Sequence, residues 1–145
     1  MKIFELGHVV FYVSNLTRSA DFYKNILGFR EIHRDFHTAL FSSGRTHHEL
    51  LLIEVGGVSS QKEIPTPGLY HVGFKIGNTD QELQDARTEL INHGITIIKS
   101  ADHHVTHSLY ILDPDNNGLE LYIDIDESWR EDASKILKTP KRLNI

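Results

Sequence analysis

The chain has 145 residues, 39% hydrophobic and 24% charged, with no cysteine and a formal net charge of -5. This is the composition of a globular domain able to bury a core, and it excludes disordered and fibrous classes. Acidic and basic residues are interspersed, so nothing offers a basic stripe to nucleic acid or to an acidic membrane, and a small-molecule partner is expected. Without cysteine neither a disulfide framework nor a thiolate metal site can form, so a transition metal would be held by His, carboxylate or water. Ten histidines favour such a site without locating it. Met1-Lys2-Ile3-Phe4 runs straight into a strand pattern with no secretory apolar stretch, and no apolar run nears the roughly 20 residues of a spanning helix. A cytoplasmic protein is expected.

The first predicted strand covers 4–13. Ser14-Asn15 then caps a helix over 16–27, whose Leu16, Ala20, Tyr23 and Leu27 trace one face, and Gly28 stops it. Strands follow at 29–36, 39–42 and 49–55, separated by polar turns of which Ser42-Ser43-Gly44-Arg45-Thr46 is the clearest. This first β-α-β-β-β unit ends in a connector, 57–67, carrying Pro65 and Pro67.

The pattern then restarts. His71-Val72-Gly73-Phe74 through Asn78 echoes His8-Val9-Val10-Phe11 through Asn15, which is an internal repeat. Thr79-Asp80-Gln81-Glu82 has the form of a capping box opening a helix with Leu83, Ala86, Leu90 and Ile91 inward, stopped by Gly94. Strands at 95–99, 107–112 and 118–123 complete a second β-α-β-β-β unit, with Asp113-Pro114-Asp115-Asn116 as the turn before the last. One such unit cannot bury both faces of its sheet, so the expected fold is α+β. Paired β-α-β-β-β modules, about 4–56 and 68–126, form one domain over 1–126 with a curved mixed sheet around a metal cleft. Residues 127–145 are expected as a short helix or tail reaching over the pocket through Trp129 and Ile136.

Three residues stand opposite apolar strand faces: His8 against Val9, Phe11 and Val13; His71 against Tyr70, Val72, Phe74 and Ile76; and Glu120 against Leu119, Leu121 and Ile123. Two imidazoles and one carboxylate suit a divalent first-row metal and leave coordination positions open. Parity also turns Tyr110 away from Leu109 and Ile111, toward the pocket. It puts His48 on the side of Leu50, Leu52 and Glu54, opposite Leu51, Ile53 and Val55. His33, His37, His47, His93, His104 and His107 are expected to be solvated or locally hydrogen-bonded.

Over residues 4–126 the chain resembles the vicinal oxygen chelate superfamily. The resemblance runs through Gly7-His8-Val9, Asp21-Phe22-Tyr23 to Leu27-Gly28-Phe29, Tyr70-His71-Val72, and Asp113-Pro114-Asp115 to Leu119-Glu120-Leu121-Tyr122. It implies His8, His71 and Glu120 as metal ligands. Within the superfamily the chain is most like the type I extradiol ring-cleaving dioxygenases, whose segments are matched by His48 in Arg45-Thr46-His47-His48 and by Asp102-His103-His104 through Tyr110. That resemblance implies Fe(II), or Mn(II), a catechol-type aromatic substrate with O2, a homodimer, and catalytic roles for His48, His103 and Tyr110. The familiar enzymes of this type often carry two such double-unit domains, and this chain has one. Two alternatives stand beside it: a glyoxalase I-like isomerase or epimerase using Ni(II) or Zn(II) with Glu54 as a fourth ligand, and a metal-free binding protein like the bleomycin-binding relatives.

Overall fold

A computed structural model describes residues 1–58 and 67–145. They form a mixed α+β fold with two mixed sheets and few helices, arranged as two compact units. The first is Met1–Lys62 with Pro114–Asn116, and the second Glu63–Asp113 with Asn117–Ile145. Most of the expected connector 57–67 lies outside the described residues.

In the first unit β1 (Val9–Val13), α1 (Leu16–Asp21), β2 (Arg30–Arg34), β3 (Thr38–Ser42) and β4 (Leu50–Glu54) follow in order. The sheet order is β1-β4-β3-β2, with β1 parallel to β4 and the other pairs antiparallel. Phe11 and Val13 of β1 share a face with Leu50 and Leu52 of β4, and all four are buried under α1. That corrects the parity expected for β4: Leu50 and Leu52 are core, while Leu51 and Ile53 are half-buried on the other face. An all-apolar strand has no period from which to choose its inner face, and the parallel register with β1 chooses it.

β1 is shorter than expected because its ladder begins at the Val9 N–H to Glu49 carbonyl bond; Ile3, Phe4 and Leu6 precede it and are exposed. The first helix is capped by Asn15, whose side chain accepts from Arg18 N at 2.8 Å. It does not run evenly to Leu27. From Phe22 to Ile26 it widens into a π-helical turn, closed by Leu27 N–H to the Phe22 carbonyl. Phe22 and Tyr23, which open this turn, are both buried. Gly28, at φ +72°, ends it.

The second unit repeats the plan: β5 (Val72–Gly77), α2 (Asp80–Asn92), β6 (Lys99–Asp102), β7 (Thr106–Leu112) and β8 (Gly118–Asp124), with β5 parallel to β8. The capping box at Thr79 and Glu82 is present in full. Leu83 and Leu90 of α2 cover the face that presents Leu109, Ile111, Leu119, Leu121 and Ile123. The strand expected at 95–99 begins instead at Lys99, just after the Ile98 N–H to Tyr110 carbonyl bond, and the His103 N–H to Thr106 carbonyl turn sets its register with β7.

The tail is more ordered than expected. Two short 3-10 turns, Ser128–Arg130 and Ala133–Leu137, lead to β9 (Lys141–Arg142), which pairs with β6 and makes the sheet order β5-β8-β7-β6-β9. No helix among the described residues is long and apolar enough to cross a membrane.

Candidate functional site

The second unit builds a connected polar run on the sheet face away from α2. The turn between β7 and β8 is closed by the Asp113 N–H to Asn117 carbonyl bond. Counting outward from it places Tyr110 directly opposite Glu120. Tyr110 Oη donates to Glu120 Oε1 at 2.7 Å, and His103 Nε2 lies 2.9 Å from the same phenol oxygen. On its other side Glu120 Oε2 lies 3.1 Å from His71 Nε2. His103, Tyr110, Glu120 and His71 are therefore linked in sequence by polar contacts. Burial, then the bond to Glu120 and its charge, push the Tyr110 phenol well above the ordinary 10.0. Tyr110 is accordingly a hydrogen-bond donor at any physiological pH.

His71 reaches Glu120 because Gly118 has no side chain. A Cβ there would stand 2.6 Å from the Tyr70 carbonyl oxygen and 3.3 Å from His71 Cβ. Tyr70 packs edge-on against the His71 ring from 4.8 Å, and Tyr110 does so from 5.5 Å. His71 Nδ1 is buried and has no hydrogen-bond partner among the described residues, so Nε2 is the nitrogen with polar company.

In the first unit the site candidates cluster before β4. The His8 ring lies 4.6 Å from the His48 ring, and His47 Nδ1 is 2.6 Å from His48 Nδ1. Burial first, then the neighbouring His47 and His8, hold His48 below its ordinary 6.5, which favours the neutral imidazole at pH 7. The turn is held by Glu49, which accepts from Ser43 N at 2.7 Å and Thr46 N at 2.6 Å. Because His48 lies in this turn, outside β4, it sits beside His8 although strand parity would group it with the buried Leu50. His47, expected to be solvated or locally hydrogen-bonded, makes such a local bond with His48 and so adjoins the cluster. Its adjacency to His48 was the only hint.

Glu54 does not join either group. It follows Leu52 onto the helix side of the sheet, where its Oε2 accepts from Leu16 N at 2.6 Å at the start of α1. Of the other histidines, His107 contacts Asp80 at 2.6 Å and His104 the Thr139 carbonyl at 3.0 Å, both partners lying far along the chain rather than locally.

His71 and Glu120 fit a metal. Two donors each roughly 2.1 Å from one ion and at right angles about it stand about 3.0 Å apart, and His71 Nε2 and Glu120 Oε2 are 3.1 Å apart. Imidazole and carboxylate together suit first-row divalent ions. Among the described residues neither unit by itself gathers three such donors in metal-holding geometry.

The model of the Glyoxalase/Bleomycin resistance protein/Dioxygenase superfamily matches residues 5–121. The chain belongs to this superfamily. Within it, the chain is similar to the catechol-2,3-dioxygenase of Bacillus subtilis (strain 168), 34% identical over 128 residues that make up 88% of this chain and 44% of that protein. It is also similar to biphenyl-2,3-diol 1,2-dioxygenase 3 of Rhodococcus globerulus, 31% identical over 82% of this chain and 63% of that one. The superfamily chain thus spans about half the length of the curated relatives it matches. A solved glyoxalase/dioxygenase structure from Nostoc punctiforme aligns with a TM-score of 0.69 over 85% of this chain and 92% of that one, at 21% identity, which bears on the fold alone.

Proposed function

We propose that this chain is a metal-dependent extradiol dioxygenase that opens a small catechol-type aromatic ring beside its two hydroxyls, with O2 as co-substrate and with a homodimer as its assembly. The observation that carries the reading is the run from His103 through Tyr110 and Glu120 to His71, which ends in two donors spaced as neighbouring ligands. The names of the two dioxygenase relatives, both referring to aromatic diols, support the same chemistry. The third ligand of the proposal is His8, which occupies in the first repeat the place of His71 in the second. The ion is Fe(II), with Mn(II) as the alternative. When bound, it supplies chelation of both diol oxygens and the electron transfer through which O2 reacts with the ring.

The remaining work falls to this chain's own groups. Glu120 accepts from Tyr110, which fixes the carboxylate's orientation. Tyr110, kept as a phenol whose one hydrogen rests on Glu120, would with His103 behind it turn that donor toward substrate oxygen as negative charge grows there. A catechol must lose a proton from a hydroxyl, and both atoms of O2 remain in the ring-opened product, so a proton has to be taken early and returned late. A neutral His48 accepts it at a ring nitrogen and then acts as the acid. In this reading Glu54 has no part in the chemistry.

The test is O2 uptake by protein reconstituted anaerobically with Fe(II), against simple and substituted catechols, with His8→Ala as control. Uptake with a yellow ring-opened product, absent in the control, is expected. Stoichiometric iron without uptake on any catechol would overturn the reading.

A further inference from the structure

We propose that the second unit carries a separate binding site for a small amphipathic anion, a negatively charged head on an apolar body. It lies on the opposite sheet face from the run that ends at His71. A cavity of about 840 Å³ opens between the second half of α2, the 95–100 stretch and the tail that forms β9. That volume is within the usual range of small-molecule sites. Its floor is Leu109, whose side chain is fully buried toward α2, whereas the next residue, Tyr110, faces the other way.

Two features say what the cavity would take. Its walls are rich in isoleucine: Ile91 and Ile98 line it while 50% and 58% exposed, and Ile95 and Ile97 are half-buried. Among the described residues these isoleucines are left only partly covered. The charged side chains lining it, Arg87, Lys99, Lys141 and Arg142, are all basic. None of the four is within ion-pair distance of a carboxylate among the described residues, although Lys141 stands opposite Asp102 across β6 and β9 and the chain as a whole carries a net charge of -5. Cations gathered around apolar walls on an acidic protein complement one anionic head with a hydrocarbon or aromatic body. A bare anion would leave the isoleucines uncovered, and a neutral lipid would leave the cations unmatched.

The site also touches the other face at one point. Lys99 lines the cavity, pairs with Tyr110 across β6 and β7, and holds its ammonium 5.2 Å from the Tyr110 ring centre. An anion that draws the Lys99 ammonium toward itself removes that charge from the Tyr110 ring.

Octanoate is the probe, with 1-octanol and inorganic phosphate as partial mimics, titrated into the full chain and followed residue by residue in 1H-15N NMR spectra. We expect saturable 1:1 binding of octanoate with shifts centred on 87–100 and 140–145, at least tenfold tighter than octanol, and none with phosphate. Lys141→Gln with Arg142→Gln, both on exposed edge positions, weakens octanoate at least tenfold and leaves octanol unchanged. Equal binding of octanoate and octanol, shifts centred elsewhere, or no saturation at millimolar octanoate would overturn the proposal. So would sedimentation showing that a second copy of the chain covers this face and that the double variant abolishes that association.

Discussion

Tyr110 lies directly opposite Glu120 across the β7-β8 ladder and donates its phenol hydrogen to the carboxylate at 2.7 Å. Cross-strand partners on one face are close enough for such a bond only when the register is right to the residue. The bond leaves Oε2 turned toward His71. Tyr110→Phe keeps the ring and its packing but frees Oε1, so Glu120 loses the group that orients it. Because partners of metal ligands typically contribute 10- to 100-fold to affinity or activity, the variant should lose about that much Fe(II) affinity or turnover. Thermal stability should fall by only about 1 kcal/mol. Metal titration beside a melting curve separates the two, and unchanged affinity and turnover would remove Tyr110 from the site.

Gly118 makes a sharper test of the His71 position. Its missing side chain is what allows the Tyr70 carbonyl and His71 to come in against β8. The methyl of Gly118→Ala would meet backbone, which cannot swing aside as a long side chain can, so the segment carrying His71 has to shift. We expect a loss of about 1–3 kcal/mol in stability, as for other overpacking substitutions. Divalent-ion affinity should drop at least tenfold in protein that still folds. Retained affinity in the folded variant would show that His71 need not be where the structure holds it.

Much of this arrangement was legible in the sequence, and the parts that were not share physical causes. Alternation located Glu120 and Tyr110 because β7 and β8 each have one apolar and one polar face. The Asp113 to Asn117 turn could even have given their pairing by counting. The repeat set the plan of both units, since the same β-α-β-β-β order with its first and last strands paired in parallel returns in each. Leu50 to Ile53 carry no period, so the inner face of β4 and the placement of Glu54 had to come from pairing with β1. His48 could not be placed by parity because it sits in a turn. Lys141–Arg142 has no strand pattern at all, and β9 exists because β6 has an open edge to receive it.

The turn that carries His47 and His48 should be sensitive to acid. Burial alone raises the Glu49 carboxyl, but backbone N–H groups of Ser43 and Thr46, with Ser42 and Arg45, outweigh it and hold the group below the ordinary 4.5. A carboxyl lowered on folding gives stability that is fully present above the unfolded value and is lost as pH falls through the folded one. Wild-type protein should therefore lose stability from about pH 4.5 downward partly through this group, and Glu49→Gln should flatten that part of the profile while lowering stability at pH 7. Urea unfolding at a series of pH values measures both. Parallel profiles for the two proteins would show that the Glu49 bonds do not depend on its charge.

Glu54 decides between the two enzyme chemistries considered for this fold. As a fourth ligand it would be needed for a glyoxalase-like metal site, yet its Oε2 is engaged with Leu16 N at the opening of α1, on the sheet face that packs against the helix. There it acts as a cap, accepting from a backbone N–H that the helix cannot satisfy itself. Glu54→Ala should then cost about 1 kcal/mol, the usual worth of a lost cap, and leave metal content and affinity unchanged within twofold. Glu120→Ala in the same assay should abolish tight binding. If instead Glu54→Ala lowers Ni(II) or Zn(II) affinity as far as Glu120→Ala does, Glu54 is a ligand, and methylglyoxal-thiol adducts become the substrates to assay.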